Sequence, residues 1–176
     1  MRSPRLEVTP GAALLFPMWY YLDKTGSFSA AAAAMAFHEA GHWLMLRMTG
    51  AEIRSLRLDI FGLCMDIVSG GNRGHELLCL AAGPAVGLLW VVMAGHLGGS
   101  WGERSALIGL GLNLYNLLPA LPLDGGQILL ALTGKKRMVR ICSVCTALFL
   151  GYLSVRIRSV CPLLPAAFLF ISGLTA

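Results

Sequence analysis

Apolar segments follow one another along almost the whole chain, separated by short basic or glycine-rich stretches. A helix of about 20 apolar residues is long enough to cross the hydrocarbon core of a bilayer. Of the 176 residues, 56% are hydrophobic and 13% are charged, whereas soluble domains carry about 25% charged residues. The mean hydropathy of +0.69 agrees with this imbalance. The sequence therefore excludes a disordered chain and a small disulfide scaffold, and it predicts an all-α polytopic membrane protein.

The apolar segments also predict how many times the chain crosses the bilayer. We expect about six transmembrane helices, the fourth of them interrupted by Pro119 and Pro122. We expect a single membrane-embedded domain over residues 1–176, with its core at about 28–134. The predicted spans are residues 9–22, 28–48, 76–97, 105–118 with 127–132, 141–155 and 160–174. The first span and the segment 141–174 would be accessory to the core.

The basic residues predict the orientation, because Lys and Arg accumulate in cytoplasmic loops. With a cytoplasmic N-terminus and alternating spans, ten of the 14 basic residues fall on the cytoplasmic side. Both termini would then be cytoplasmic. The net charge of +5 is spread between apolar segments and does not form one stripe, so it does not indicate a nucleic-acid partner.

A small β-hairpin is predicted over residues 53–67. Apolar and polar side chains alternate between Leu56 and Ile60, and Gly62 stands where a turn would fall before a return strand at 63–67. We expect this hairpin at the cytoplasmic membrane edge. An irregular amphipathic loop remains the alternative.

The second predicted span contains the motif H-E-x-x-H at residues 38–42. Helix positions i and i+4 share a face, so the imidazoles of His38 and His42 can bind one metal ion. Glu39 lies beside them and could take a proton from a metal-activated water. A charged or strongly polar side chain at mid-membrane costs about 2.5–3.5 kcal/mol on insertion scales. Packing therefore explains three such residues on one turn poorly, and the motif predicts an intramembrane metal site.

A further ligand candidate lies far downstream. A catalytic zinc site uses three protein ligands and keeps one position open, so two histidines leave one ligand to be found. Asp124 follows two helix-stopping prolines and precedes Gly125 and Gly126, which permit a tight turn. We expect a non-helical corner here that faces a cavity. The alternative is an Asp that caps the following helix.

Two amide side chains precede this corner, three residues apart and on one helix face. Either Asn113 or Asn116 could hydrogen-bond a substrate carbonyl or stabilise an oxyanion. Amides also commonly join neighbouring helices within membranes, and both interpretations stay open.

These motifs resemble those of the site-2 protease family of intramembrane zinc metalloproteases. The H-E-x-x-H motif is followed by N-L-L-P at 116–119 and P-L-D-G-G at 122–126, which is similar to the N-x-x-P…L-D-G element of the family. The resemblance covers about residues 30–132. The A-G-P sequence at 82–84 also resembles the family, although Gly87 stands where the family often has Asn, a change expected to affect local packing or substrate contacts.

The resemblance implies a set of roles. His38, His42 and Asp124 would bind one Zn²⁺ ion. Glu39 would be the general base, and Asn116 would lie near the substrate. The substrate would be a membrane-anchored protein cleaved near the cytoplasmic face, and strand addition to the predicted hairpin could hold it extended.

The six-span layout, without a recognisable PDZ or CBS domain, is similar to the stage IV sporulation protein FB branch. This implies a bacterial cytoplasmic membrane, regulatory membrane proteins as partners and, as one candidate substrate, a sporulation pro-sigma factor. Two other functions stay open. One is a non-catalytic relative that keeps zinc, against which the intact Glu39 argues. The other is a zinc transporter, which generally needs several metal sites along a path.

Overall fold

Seven helices and three strands make up the part of the chain that the structure, a computed structural model, describes, namely residues 5–50, 52–59, 62–68, 73–159 and 163–175. Contacts divide the chain into two units, Met1–Asn113 and Leu114–Ala176. The expected single domain stays a prediction.

The first unit contains a sheet and most of the long helices. Its strands are β1 (Arg5–Val8), β2 (Glu52–Asp59) and β3 (Gly62–Val68). Its helices are α1 (Pro10–Leu22), α2 (Ser27–Thr49), α3 (Arg73–Leu97) and α4 (Gly99–Asn116), and α4 continues into the second unit.

The sheet has the strand order β1-β2-β3, with β2 parallel to β1 and antiparallel to β3. Strand β1 was not expected from the sequence. It leads directly into α1, because the Thr9 amide donates to the Leu58 carbonyl at 3.0 Å while the Thr9 hydroxyl accepts from the Ala12 amide at 3.4 Å. Residues 60 and 61, where the chain passes from β2 to β3, lie outside the described residues. That the strands lie at a cytoplasmic membrane edge stays a prediction.

Small residues set the packing of α2. Its buried positions include Ala30, Ala34, His38 and Gly41, a spacing that puts them on one helical face. A Cβ at Gly41 would collide with the backbone of Ala82 on α3. Small side chains allow helix backbones to approach closely, which is the main source of helix association where lipid replaces water. His38 therefore lies in a seam between helices.

A buried hydrogen-bond chain ties three helices together near the start of α2. The Trp90 indole N–H donates to Ser105 Oγ at 3.0 Å, and Ser105 donates to the Ala30 carbonyl at 3.1 Å. Ser105 is fully buried, so this chain satisfies polar groups that have no access to water.

Two helices of the described part, α3 and α6 (Lys136–Ile157), are long and apolar enough to cross a membrane. Helix α2 has 23 residues but carries the polar motif. Helices α1 and α7 (Leu163–Thr175) have 13 residues each, or about 20 Å at a rise of about 1.5 Å per residue. That length is shorter than the roughly 30 Å hydrocarbon core. The six predicted spans therefore remain a prediction.

In the second unit, α5 (Asp124–Thr133), α6 and α7 follow the end of α4. The predicted interruption of the fourth span is confirmed, since α4 ends at Asn116 and α5 begins at Asp124. Glycines allow α5 to return against the interrupted segment. A Cβ at Gly125 would collide with the carbonyls of Leu117 and Leu118, and one at Gly126 with the backbone of Ala120.

Candidate metal centre

The imidazoles of His38 and His42 converge on one face of α2. Their Nε2 atoms are 3.3 Å apart, and the ring centroids are separated by 5.0 Å. His38 is almost completely buried, with 2% of its surface exposed, and His42 is half-buried. The structure thus brings together the two histidines in the way that the i, i+4 spacing predicts.

The other ring nitrogen of His42 is held by α3. Its Nδ1 is 2.7 Å from the backbone carbonyl oxygen of Cys79. A carbonyl oxygen can only accept a hydrogen bond, so Nδ1 must carry the proton. In a neutral imidazole the lone pair is then on Nε2, the atom that faces His38.

His38 has an equivalent partner on α4. Its Nδ1 is 3.0 Å from Oδ1 of Asn113, an amide that is fully buried. Each histidine therefore has an acceptor at Nδ1 and turns Nε2 toward the other histidine. Hydrogen bonds of this kind fix the tautomer and the ring orientation of metal-binding histidines.

The distance between the two Nε2 atoms fits a zinc ion. Two Nε2 lone pairs that face each other at 3.3 Å repel unless a cation attracts both. Zinc binds imidazole nitrogen at about 2.0–2.1 Å in tetrahedral geometry, which separates two such nitrogens by about 3.3 Å. The donor pair therefore matches zinc both in chemistry and in spacing.

The third predicted ligand, Asp124, lies in the second unit, after the non-helical segment that follows α4. Asp124 is half-buried at the first residue of α5, and Leu123 is the residue that caps this helix. Asp124 is therefore a first-turn residue of α5, neither its N-cap nor part of the non-helical corner that the sequence predicted. That Asp124 joins His38 and His42 as a metal ligand stays a prediction.

The remaining predicted site residues differ in environment. Glu39 is half-buried on α2, and Asn116 is half-buried at the last residue of α4. Their predicted roles stay predictions. Asn113, in contrast, has no exposed surface and is bonded to His38. This contact agrees with the helix-joining interpretation, and sequence reasoning missed that its partner is the histidine.

No protein-family model matches the chain. Over 107 residues the chain is 36% identical to a candidate zinc metalloprotease of Synechocystis sp., an alignment that covers 55% of this chain and 28% of that protein. Over 136 residues it is 29% identical to the candidate zinc metalloprotease Rip3 of Mycobacterium tuberculosis, with coverages of 69% and 35%. The chain thus spans about a third of the length of these curated relatives.

The structure is similar to the site-2 protease from Methanocaldococcus jannaschii. The TM-score is 0.75 at 20% identity, over 97% of this chain and 89% of that chain. The chain therefore has the fold of a site-2 protease. These matches confirm the resemblance that the motifs indicated, whereas similarity to the sporulation branch stays a prediction.

Proposed function

We propose that this chain, which has the site-2 protease fold, is an intramembrane zinc metalloprotease that hydrolyses peptide bonds of membrane-associated proteins. The observation that carries the proposal is the convergence of His38 and His42. Their Nε2 atoms lie 3.3 Å apart while each Nδ1 faces an acceptor. The names of the curated relatives, both candidate zinc metalloproteases, support the same metal and the same reaction.

The proposed ligands are His38, His42 and Asp124, which leave one position open as catalytic zinc requires. When bound, the zinc ion supplies Lewis acidity that polarises the scissile carbonyl and makes water easier to deprotonate. Asp124 is half-buried at the first residue of α5, directly after the non-helical segment.

Glu39 is the proposed general base. It follows His38 directly on α2 and is half-buried, so its carboxylate lies next to the metal-binding face without being fully desolvated. Glu39 accepts a proton from the attacking water and later donates it to the leaving amine. Asn116, at the end of α4, is proposed to hydrogen-bond the substrate backbone.

The substrate must be locally unwound, because the peptide bonds of a transmembrane helix are hydrogen-bonded within the helix. Strand addition would hold such a segment extended. In the described sheet β2 is the central strand, so the substrate would add to an outer edge. We assign this to β3, since β3 has 7 residues and β1 only 4.

Neighbouring prolines test this docking edge. Successive N–H groups along a strand point to opposite sides, so one of Cys64→Pro and Met65→Pro removes an N–H from the outer edge of β3. That variant should lose cleavage and keep its zinc. Unchanged cleavage in both variants would overturn the assignment.

The membrane setting belongs to the same proposal. The protein would be a multi-pass protein of a bacterial cytoplasmic membrane, with both termini in the cytoplasm and with regulatory membrane proteins as partners. A sporulation pro-sigma factor is one proposed substrate.

A zinc transporter is less well supported, because one group of metal-binding side chains is found in the described part of the chain, and a transport path needs several.

A cleavage assay in liposomes tests the function. Wild type, Glu39→Gln and Glu76→Gln would each be incubated with single-span and hairpin-anchored substrate proteins, with bound zinc counted in parallel. Glu76 lies in the first turn of α3, so its variant repeats the same chemical change outside the motif. We expect cleavage by wild type and Glu76→Gln, none by Glu39→Gln, and zinc in all three.

Three results would contradict the proposal. Cleavage by Glu39→Gln at the wild-type rate would remove the general base from the mechanism. Absence of zinc from the wild-type protein would overturn the metal site itself. Zinc without cleavage of any substrate would favour a non-catalytic zinc protein.

A further inference from the structure

Both ends of the Asn113 amide are engaged in a fully buried position. Its Nδ2 donates to the carbonyl oxygen of Gly109 at 2.7 Å, one turn earlier on α4. Its Oδ1 lies 3.0 Å from Nδ1 of His38. The amide therefore links the backbone of α4 to the proposed metal ligand on α2.

This link determines which nitrogen of His38 carries the proton. The Gly109 carbonyl can only accept, so the NH₂ end of the amide must face it, and Oδ1 must face His38. Oδ1 can only accept as well, so Nδ1 of His38 must be protonated. The lone pair of the neutral ring is then on Nε2, the atom 3.3 Å from Nε2 of His42.

Helix α3 leaves room for the amide at Gly87. A Cβ at this position would collide with the amide atoms of Asn113. Gly87 is also the position at which the sequence departs from the site-2 protease pattern. The missing side chain on α3 is thus matched by an amide that enters the same space from α4.

We infer that Asn113 is a positioning residue that holds His38 in the tautomer and the ring orientation that bind the metal. The inference rests on the proposed metal site, and it assigns Asn113 no contact with the substrate. Acceptors that hydrogen-bond metal-binding histidines typically account for about 10–100-fold in metal affinity. Gly87 has a permissive role, since it provides the space.

The first test needs no substitution. The chain contains four histidines, so ¹⁵N-labelled histidine in metal-free protein gives a small set of ring signals. His38→Gln identifies the His38 signals by their loss. We expect the neutral ring of His38 in metal-free wild type to be the Nδ1-protonated tautomer. An Nε2-protonated His38 would overturn the inference.

The second test uses substitutions on α4. Asn113→Leu keeps the approximate volume and removes the acceptor, and it should lower zinc affinity about 10–100-fold in chelator competition. Ser105→Ala is the matched control on α4, the helix of Asn113. It removes the buried hydrogen bonds that Ser105 makes with Trp90 and with Ala30. It should lower thermal stability without changing zinc affinity.

The outcomes separate positioning from mere packing. An equal loss of zinc affinity in Ser105→Ala and Asn113→Leu would mean that any loosening of α4 weakens the site, which would overturn the inference. Wild-type affinity in Asn113→Leu would overturn it as well. Neither measurement needs a substrate. A protein in which Asn113 behaves as expected but which cleaves nothing would contradict the proposed protease alone.

Discussion

Gly83 on α3 lies so close to the imidazole of His42 on α2 that a single methyl group would not fit between them. A Cβ at Gly83 would collide with Nε2, Cε1 and Cδ2 of the ring. The backbone of α3 therefore bounds the ring on this side, while the Cys79 carbonyl on the same helix holds Nδ1. The A-G-P segment thus has a definite structural role, which is to let a metal-binding histidine lie against a helix backbone.

Replacing Gly83 with Ala should therefore displace the His42 ring. Overpacking of this kind typically costs about 1–3 kcal/mol of stability, and the displaced ligand should weaken zinc binding by at least about tenfold. Chelator competition and thermal unfolding would measure the two effects. Gly95→Ala is the control on the same helix, since a Cβ there would meet nothing within 4 Å. Equal zinc affinity in both variants would refute this role for Gly83.

Ser143 on α6 should stabilise the non-helical segment that precedes Asp124. Its hydroxyl accepts a hydrogen bond from the Leu121 amide at 2.9 Å and donates to the Val139 carbonyl at 3.0 Å. Ser143→Ala leaves a part-buried backbone N–H without this acceptor, which should cost about 1–3 kcal/mol. We expect a lower melting temperature and, because the Asp124 corner loosens, weaker zinc binding.

Ser154→Ala provides the control for that prediction. Ser154 is also buried on α6, but its hydroxyl has no hydrogen-bond partner among the described residues. Removing it should leave stability unchanged or raise it, because a buried unsatisfied hydroxyl is unfavourable. If Ser154→Ala were as destabilising as Ser143→Ala, the hydrogen bond to Leu121 would not be the cause.

The loop before α2 should make stability depend on pH. Hydrogen bonds from the Thr25 side chain and then from the Phe28 amide hold the pKa of Asp23 below its ordinary value of 3.8. Because the folded-state pKa is the lower one, the charged carboxylate stabilises the fold above pH 3.8, and this contribution is lost as the pH falls through the folded-state pKa.

Asp23→Asn should therefore lower the melting temperature at neutral pH, and the difference from wild type should shrink as the solution is acidified below pH 3.8. Glu103→Gln, an exposed carboxylate elsewhere in the unit, controls for the general effect of removing a charge. A pH-independent difference for Asp23→Asn would contradict this role of the Asp23 carboxylate.

Removal of zinc should lower the stability of the wild-type protein. A ligand that binds only the folded state stabilises it by about 2.7 kcal/mol when present at about 100 times its Kd. Chelation should therefore lower the melting temperature, and readdition of zinc should restore it. Glu39→Gln should show the same shift because it keeps the ligands, whereas His42→Ala should show little or none. A full shift in His42→Ala would place the zinc elsewhere.

Several parts of the structure could be predicted because they depend on residues close together in the sequence. The i, i+4 spacing of His38 and His42 places both rings on one face of any helix that contains them. Pro119 and Pro122 lack a backbone N–H and do not fit inside a helix. The non-helical segment before Asp124 was therefore also predictable. The bounds of α1 were close to those predicted, since Thr9 is a strong helix cap.

Other parts depend on residues that are distant in the sequence. Strand β1 pairs with β2 although its four residues carry no strand signal that distinguishes them from a polar N-terminus. The prediction left the role of Asn113 undecided, because an amide on a helix face is compatible both with substrate binding and with helix association. Its contact with a residue 75 positions earlier depends on the room at Gly87.

The sequence by itself determined three properties of this protein. It showed which residues could bind a metal, that His38 and His42 share a helix face, and that the chain is apolar enough for a membrane. Helical periodicity and proline geometry depend only on residues close together in the sequence, so they can be predicted without knowledge of the packing. Only the tertiary structure decided which nitrogen of each imidazole carries the proton. That choice is made by acceptors 37 and 75 residues away, Cys79 for His42 and Asn113 for His38, because a tautomer is fixed by the partner that packing brings to Nδ1.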